Sequence, residues 1–462
     1  MMENKWKEIP VTFFSIVKWT VLAIFVGALV GLATTLFLKT LEKTAFLTNR
    51  YSYYYIFLPF ALFLSGLIIK YLAPDAEGHG TEKVIEAIHK FSGKIKWSVI
   101  PAKLVASVIT ISFGGSAGKE GPCAQIGGGI ASLISDIFRF DDIDRKKLVI
   151  CGISAGFASV FGTPISGAIF GIEVLFIGNI LYEVLLPSFI SAIVGYYVSS
   201  ELGIKYFHHS INFVPFFCGP LLIRIIFLGI LFGLVALFMI ETMELTKKIS
   251  SKIRLWQPLN GLIGGTILVI LTFIFSDHFL GLGIETIKST LKGEEVLWYF
   301  FILKIVFTAI TLNFCGSGGV ITPIFFIGAT SGKIFSNLLG MDKKTVSAIG
   351  LVSVLAGATN TPIASSIMAI ELFGSKIGPY AAISCIVSFL ITGTRSIYPS
   401  QIIAIRKTSS IHVDIGKEIS KVKPRIKVRR KTFTNIILTT IRKFKEKIKG
   451  GENGKNNKKC EG

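Results

Sequence analysis

The sequence contains, at positions 114–122, the stretch Gly114-Gly115-Ser116-Ala117-Gly118-Lys119-Glu120-Gly121-Pro122, which lies between apolar runs at 104–113 and 126–137. Backbone that leaves a helix inside a bilayer must be satisfied by protein or by a water-lined cavity, and an ionisable residue there marks a functional site. A helix that restarts at Gly121-Pro122 points its free N–H groups back at the break, which favours an anion. The stretch therefore predicts an interrupted membrane helix that binds an anion near Glu120. The alternative is a tight glycine turn with Glu120 facing water.

The composition indicates a polytopic membrane protein. Of the 462 residues, 51% are hydrophobic and 17% are charged, whereas soluble domains carry about 25% charged residues. The net charge is +21, and from Gln401 onward there are eighteen Lys or Arg against five Asp or Glu. A basic tail can suggest nucleic acid, but after a membrane domain it more simply marks the cytoplasmic side and can touch anionic lipid headgroups, so we expect no nucleic-acid partner. The six cysteines lack the spacing of a zinc site or a disulfide framework, so we expect no metal and no cofactor.

The chain repeats itself internally. Lys103–Pro122 aligns with Lys304–Pro323 at an offset of 201, with nine of twenty positions identical. Thr163–Glu173 aligns with Thr361–Glu371 at an offset of 198, with six of eleven identical. The segment 78–82 also aligns with 281–285. Paired glycine and proline breaks in two repeated halves point to a binding site near the bilayer midplane, where the halves meet.

The repeat sets the predicted domain boundaries. We expect residues 1–400 to form one transmembrane domain, with halves at about 13–201 and 221–398. Residues 401–462 are expected to hold the end of the last helix and a basic cytoplasmic tail, in which 436–448 form either an amphipathic helix on the membrane surface or a disordered segment. The first apolar run is too long for a secretory signal, so it is predicted to be an uncleaved first span with a cytoplasmic N-terminus. The basic tail predicts a cytoplasmic C-terminus, and the chain is expected to cross the cell membrane several times.

At these residues the chain resembles the CLC family, the voltage-gated chloride channel family that includes chloride/proton antiporters. Gly118-Lys119-Glu120-Gly121-Pro122 is similar to the family's G-[KR]-E-G-P, and Gly319-Val320-Ile321-Thr322-Pro323 is similar to its G-x-[FIL]-x-P. Gly78-His79-Gly80 resembles the first anion-binding loop, G-S-G-I-P, and Tyr398 lies where the family has its pore tyrosine. The resemblance implies an all-α polytopic membrane protein with two inverted repeats and broken or re-entrant helices. It also implies a homodimer of the prokaryotic type, without C-terminal CBS modules.

The resemblance also assigns roles. It makes Glu120 the gate, whose ionised carboxylate occupies an anion site and whose protonated form swings away. The implied ligand is chloride, bound by backbone N–H groups of Val320 and Ile321 and by the hydroxyl of Tyr398. From the sequence alone, Tyr398 could instead belong to an aromatic belt at the membrane surface. The full predicted anion-binding set is His79, Gly80, Lys119, Gly121, Gly319, Val320, Ile321 and Tyr398.

The chain departs from the family pattern at two places. His79 replaces a serine that usually donates to the anion, so its ring either donates a hydrogen bond or points aside, and Thr81-Glu82 replace an apolar-Pro pair. Antiporters of the family carry a proton-relay glutamate one position beyond Glu173; here that position is Val174, as in the family's channels. Glu173 itself repeats as Glu371, which favours a structural role such as helix capping.

Two further lysines occupy equivalent positions in the halves. Lys103 and Lys304 lie inside apolar runs. They could raise the positive potential that draws anions inward or extend to the nearest membrane surface.

These observations favour chloride conduction gated by Glu120, because the relay position is Val174. The first alternative is chloride/proton antiport with a relay that bypasses Val174, through His79 or water. The second is fluoride export, motivated by the non-serine residue at His79. A polytopic membrane enzyme is a further class, but the sequence contains no HExxH, GxSxG or paired intramembrane Asp motif.

Overall fold

The computed structural model of the chain describes residues 2–208, 211, 219–408, 410–422 and 424–426. The predicted segment 436–448 and most of the basic tail lie outside the described residues. The described ranges form sixteen α-helices: α1 Met2–Thr48, α2 Leu58–Leu72, α3 Gly80–Lys90, α4 Val99–Ser112, α5 Glu120–Ile137, α6 Asp142–Phe161, α7 Pro164–Glu173, α8 Leu185–Glu201, α9 Gly219–Lys252, α10 Gln257–Ile274, α11 Ile284–Leu291, α12 Phe300–Asn313, α13 Ile321–Leu339, α14 Lys343–Thr359, α15 Pro362–Phe373 and α16 Gly378–Ile391.

Five segments of the described chain are long and apolar enough to cross a membrane: Ile9–Thr48, Tyr54–Leu72, Tyr182–Glu201, Gly219–Lys252 and Gln257–Ile274. Shorter apolar helices lie beside them, among them Val99–Ser112 and Phe300–Asn313. Many short apolar helices beside a few long ones are what broken and re-entrant segments produce. This confirms the prediction of an all-α polytopic membrane protein with two inverted repeats.

Equivalent residues begin and end equivalent helices in the two halves. The Asp141 side chain accepts the Asp144 N–H at the start of α6, and the Asp342 side chain accepts the Thr345 N–H at the start of α14. Helix α6 ends at Gly162, with φ of 71°, and α14 ends at Asn360, with φ of 59°. Both are residues that tolerate the left-handed conformation at a helix end.

Glycine pairs bring the repeated helices into backbone contact. A Cβ on Gly127 of α5 would overlap the carbonyl of Gly152 in α6, and a Cβ on Gly328 of α13 would overlap that of Gly350 in α14. Close approach of this kind is typical of membrane helices, which pack through small residues. One buried apolar core runs through both halves.

The two halves exchange backbone bonds at the glycine-rich breaks. The Gly118 N–H donates to the Gly319 carbonyl at 2.8 Å, and the Gly319 N–H donates to the Gly118 carbonyl at 2.7 Å. Ser116 N–H donates to Thr311 Oγ1, and Ser317 N–H donates to Thr110 Oγ1, both at 3.0 Å. Because equivalent residues trade equivalent bonds, a local two-fold axis passes through this contact.

The expectation for the start of the C-terminal region is wrong in one respect. The last helix of the described chain, α16, ends at Ile391, because Gly393 adopts a φ of 58° and turns the backbone out of the helix. Residues after 401 form short strands instead: β2 Ile402–Ile403 pairs in parallel with β1 Phe176–Ile177, and β3 Ile411–His412 pairs with β4 Arg425–Ile426. The C-terminal segment is thus fastened to the chain just after α7.

Candidate functional site

Three helix N-termini meet at one place in the fold. They are the starts of α3, α5 and α13, and bridges join His79 to Gly318 and Gly118 to Gly319. A Cβ on Gly80 would overlap the Gly121 carbonyl, and a Cβ on Gly121 would lie 2.7 Å from the Gly319 Cα. Only glycine permits this approach. The free N–H groups and positive dipole ends of three helices therefore surround one small volume, which favours a negative charge.

The carboxylate of Glu120 occupies this volume. Its Oε1 accepts the Ile321 N–H at 2.5 Å, and its Oε2 accepts the Thr322 hydroxyl at 2.8 Å. Glu120 is only 1% exposed, so the alternative of a loop facing water is wrong. Its oxygens also lie directly against Gly118 and Gly319, where no side chain would fit. The carboxylate thus uses donors that a free anion would need.

Tyr398 and His79 lie side by side at this site. Their ring centroids are 5.7 Å apart, and Tyr398 is fully buried, so it does not belong to a belt at the membrane surface. The Tyr398 hydroxyl and His79 Nδ1 are buried and have no hydrogen-bond partner within the described chain. Buried polar atoms are seldom left unpaired, so both are available to a bound ligand or water.

The other predicted site residues lie around the same point or apart from it. Val320 immediately precedes α13, and Lys119 precedes α5, partly buried and near the carboxylates of Glu120 and Glu42. Val174 lies elsewhere, at the end of α7, where its carbonyl accepts a hydrogen bond from Gln401 at 2.8 Å. The structure therefore brings the predicted anion-binding residues together. Val174 lies apart from them and contacts the C-terminal segment through its backbone carbonyl.

Glu173 and Glu371 cap each other's half, as their repetition predicted. Glu173 accepts the N–H groups of Ile363 and Ala364 at the start of α15, at 3.0 and 2.8 Å. Glu371 accepts those of Ile165 and Ser166 at the start of α7, at 2.9 and 2.8 Å. Both oxygens of each carboxylate are used for a helix N-terminus in the opposite half.

The paired lysines were expected either to raise the positive potential or to extend to the membrane surface, and their contacts show a different arrangement. Lys103 and Lys304 are fully buried, so the membrane-surface alternative is wrong. Lys103 Nζ donates to the carbonyls of Ala76 and Gly78, and Lys304 Nζ donates to those of Phe279 and Gly281. Each lysine fastens the loop that precedes a short helix, α3 or α11.

Sequence reasoning missed two residues at the site. Thr322 supplies the second donor to Glu120, and its place inside the quoted motif, one residue after the start of α13, was the signal available. Glu82 accepts the N–H and the hydroxyl of Ser400, two residues after Tyr398. The sequence did mark Glu82, because this carboxylate stands where the family motif has a proline.

The comparisons with known proteins agree with this geometry. The family model described as "Voltage gated chloride channel" matches residues 61–393. The "Chloride/fluoride channel protein" of Pseudomonas syringae pv. tomato is 35% identical over 393 residues, covering 84% of this chain and 86% of the relative. The "H(+)/Cl(-) exchange transporter ClcA" of Klebsiella pneumoniae subsp. pneumoniae is 25% identical, covering 76% of this chain and 80% of the relative.

A solved structure shares the fold over the same region. The crystal structure of a CLC-type fluoride/proton antiporter superposes with a TM-score of 0.81 at 28% identity, covering 84% of this chain and 98% of that one. The chain therefore belongs to the CLC family of anion channels and transporters, a membership that excludes the alternative of a polytopic membrane enzyme.

Proposed function

We propose that this protein exchanges halide, fluoride as well as chloride, for protons across the cell membrane, with Glu120 as the gate. The observation that carries the proposal is the bonding of the Glu120 carboxylate to the Ile321 N–H and the Thr322 hydroxyl. A halide that binds these donors must first displace the carboxylate. Protonation weakens a carboxylate as an acceptor, so a proton on Glu120 favours the exchange of carboxylate for halide.

The choice of anion rests on the donor set and on the relatives. Hydrogen bonds with an ionised acceptor are short and strong, and a small anion fits a site lined by glycine backbone. The Pseudomonas relative is named a chloride/fluoride channel protein and the superposed structure a fluoride/proton antiporter. Fluoride transport, the second alternative from the sequence, is therefore part of the proposal.

Passive chloride conduction is the second candidate. It is favoured by Val174, which puts an apolar side chain where the family's antiporters have a relay carboxyl. We also propose a homodimer, which the family resemblance implies. Cytoplasmic termini are proposed from the first apolar run and the basic tail, and a transmembrane domain ending near residue 400 is proposed from the internal repeat.

The test is paired flux in liposomes. Purified protein is reconstituted into liposomes loaded with fluoride or chloride. A halide electrode follows halide efflux while a pH electrode follows proton movement. We expect wild-type protein to drive uphill proton movement with halide efflux, and Glu120→Gln to pass halide with proton movement reduced at least about a hundredfold, because the amide cannot carry a proton between the two sides. Halide flux without proton movement in wild type would favour the passive candidate, and the absence of any halide flux would contradict both.

A further inference from the structure

Glu82 has an unusual carboxylate among the glutamates of the described chain. Its Oε1 accepts the Ser400 N–H at 3.0 Å and the Ser400 hydroxyl at 2.6 Å, whereas its Oε2 is buried and has no partner there. Glu120, Glu173 and Glu371 each use both oxygens. A buried carboxylate oxygen without a partner needs a water, a proton or a ligand.

The groups around Glu82 lead toward the gate. The Tyr398 hydroxyl lies within electrostatic range of both Glu82 and Glu120, with the Thr81 side chain nearby but not in hydrogen-bond geometry. The His79 ring lies beside the Tyr398 ring. Glu82 Oε2, the Tyr398 hydroxyl and His79 Nδ1 are thus three buried polar atoms without a hydrogen-bond partner in the described chain, and Tyr398 is the group that lies in range of Glu120. Polar atoms arranged in this way are expected along a path occupied by water.

On the other side of Glu82 the charges face solvent. One turn along α3, Glu86 pairs with Lys83 and Lys90, at 3.0 and 2.9 Å, and Lys90 also lies 3.7 Å from Glu418 in the C-terminal segment. Lys247 of α9 is a further cation in electrostatic range of Glu82. Glu82 is partly exposed, so it stands between a solvated ion-pair cluster and the buried site.

We infer that Glu82 is the inner proton carrier of this protein: it takes protons from the solvent on the face that carries residues 401–422 and passes them toward Glu120. The Glu82 carboxylate gains a proton from hydronium in the solvent, forming an O–H bond and leaving a water molecule. That bond breaks as the proton passes along bridging water to the Glu120 carboxylate, and Glu82 is anionic again. This role rests on the proposed exchange of halide for protons and explains how it proceeds with valine at position 174.

The chain supplies a matched control for this role. Glu285 is the repeat equivalent of Glu82 and is exposed, and Glu86 lies on the same helix as Glu82 within the solvated cluster. The paired-flux assay on full-length protein compares wild type, Glu82→Gln, Glu82→Asp, Glu285→Gln and Glu86→Gln. We expect Glu82→Gln to pass halide with proton movement reduced at least about tenfold, Glu82→Asp to recover part of it, and the two controls to couple as wild type does.

The outcomes separate this inference from the proposed function. Coupling in wild type together with equal coupling in Glu82→Gln would overturn the role of Glu82 and leave the exchange intact. Absence of proton movement in wild type would overturn both. If Glu82→Gln does not fold, infrared difference spectra of wild type and Glu82→Asp between two pH values replace it. The expected result is a protonated carboxyl band that shifts in Glu82→Asp, and an unshifted spectrum would contradict the inference.

Discussion

The loop at 78–82 in the first half and the loop at 281–285 in the second are held by the same contacts but carry different side chains. A buried lysine, Lys103 or Lys304, fastens each loop through two backbone carbonyls. The two loops differ at the residue after the first glycine, which is His79 in the first loop and Leu282 in the second. They differ also in the surroundings of the shared glutamate, since Glu82 accepts hydrogen bonds from Ser400 and Glu285 is exposed. The lysine contacts are the same in both halves and hold the loops, whereas the histidine and the hydrogen-bonded glutamate are found in the first loop alone.

The proposed gate also depends on a difference between the two halves. Glu120 belongs to the first half, but the donors to its carboxylate come from the second half, at Ile321 and Thr322. The repeat equivalent of Thr322 is Gly121, which has no side chain to offer. The carboxylate of the first half is therefore held by donors of the second half.

The largest effect that would sharpen this comparison is expected from Thr322→Val. The substitution removes one of two donors to an ionised carboxylate, and such a bond is worth about 1.5–3 kcal/mol. A halide that displaces the carboxylate loses the same donor, so at a pH low enough to protonate Glu120 the halide concentration for half-maximal flux should rise by about tenfold. Thr330→Val is the matched control, since the Thr330 hydroxyl donates within its own helix, to the Phe326 carbonyl. Equal shifts in both variants would show that the Glu120 contact does not matter.

Removing the two buried lysines should have a smaller effect on halide flux, and the effect should differ between them. Lys103→Met frees the loop that carries His79, so we expect halide flux to fall several-fold. Lys304→Met frees a loop that contributes no residue to the site, and flux should stay within about twofold. Removing a buried charge need not destabilise a protein, so a thermal melt of each variant controls for folding. Equal loss of flux at equal stability would break the comparison.

The smallest effect should be the same in both halves. Glu173→Gln and Glu371→Gln each replace a charged helix cap by an amide with one acceptor oxygen, at a cost of about 1 kcal/mol. We expect each to lower the melting temperature by a few degrees, whereas Glu285→Gln, at an exposed position, leaves it unchanged. Destabilisation by only one of the pair would contradict reciprocal capping.

The sequence predicted the repeated parts of the structure better than the contacts between them. The alignment of Lys103–Pro122 with Lys304–Pro323 located both breaks, and the repetition of Glu173 as Glu371 predicted helix caps that the hydrogen bonds confirm. The acceptors of Lys103 were missed because they lie some 25 residues earlier in the chain, and hydropathy says nothing about them.

The bond from Thr322 to Glu120 spans 202 positions, and the bonds from Ser400 to Glu82 span 318. Contacts of this range depend on how the halves pack and leave no local pattern. The site residues at 78–80, 118–122 and 319–323 could be predicted because they lie in glycine-rich motifs, which are visible in one sequence, and Tyr398 because it follows the last apolar run. Glu82 became a candidate only when one of its oxygens proved to be buried without a partner.

The reciprocal capping by Glu173 and Glu371 has a consequence for synthesis of the chain. Helix α7 leaves the ribosome about two hundred residues before the carboxylate of Glu371 that satisfies its first turn. Until then the nascent first half holds bare amide groups in or near the bilayer, where water is scarce. We therefore expect that helix end to be covered by another protein during synthesis, and a truncated first half to be degraded rather than to accumulate.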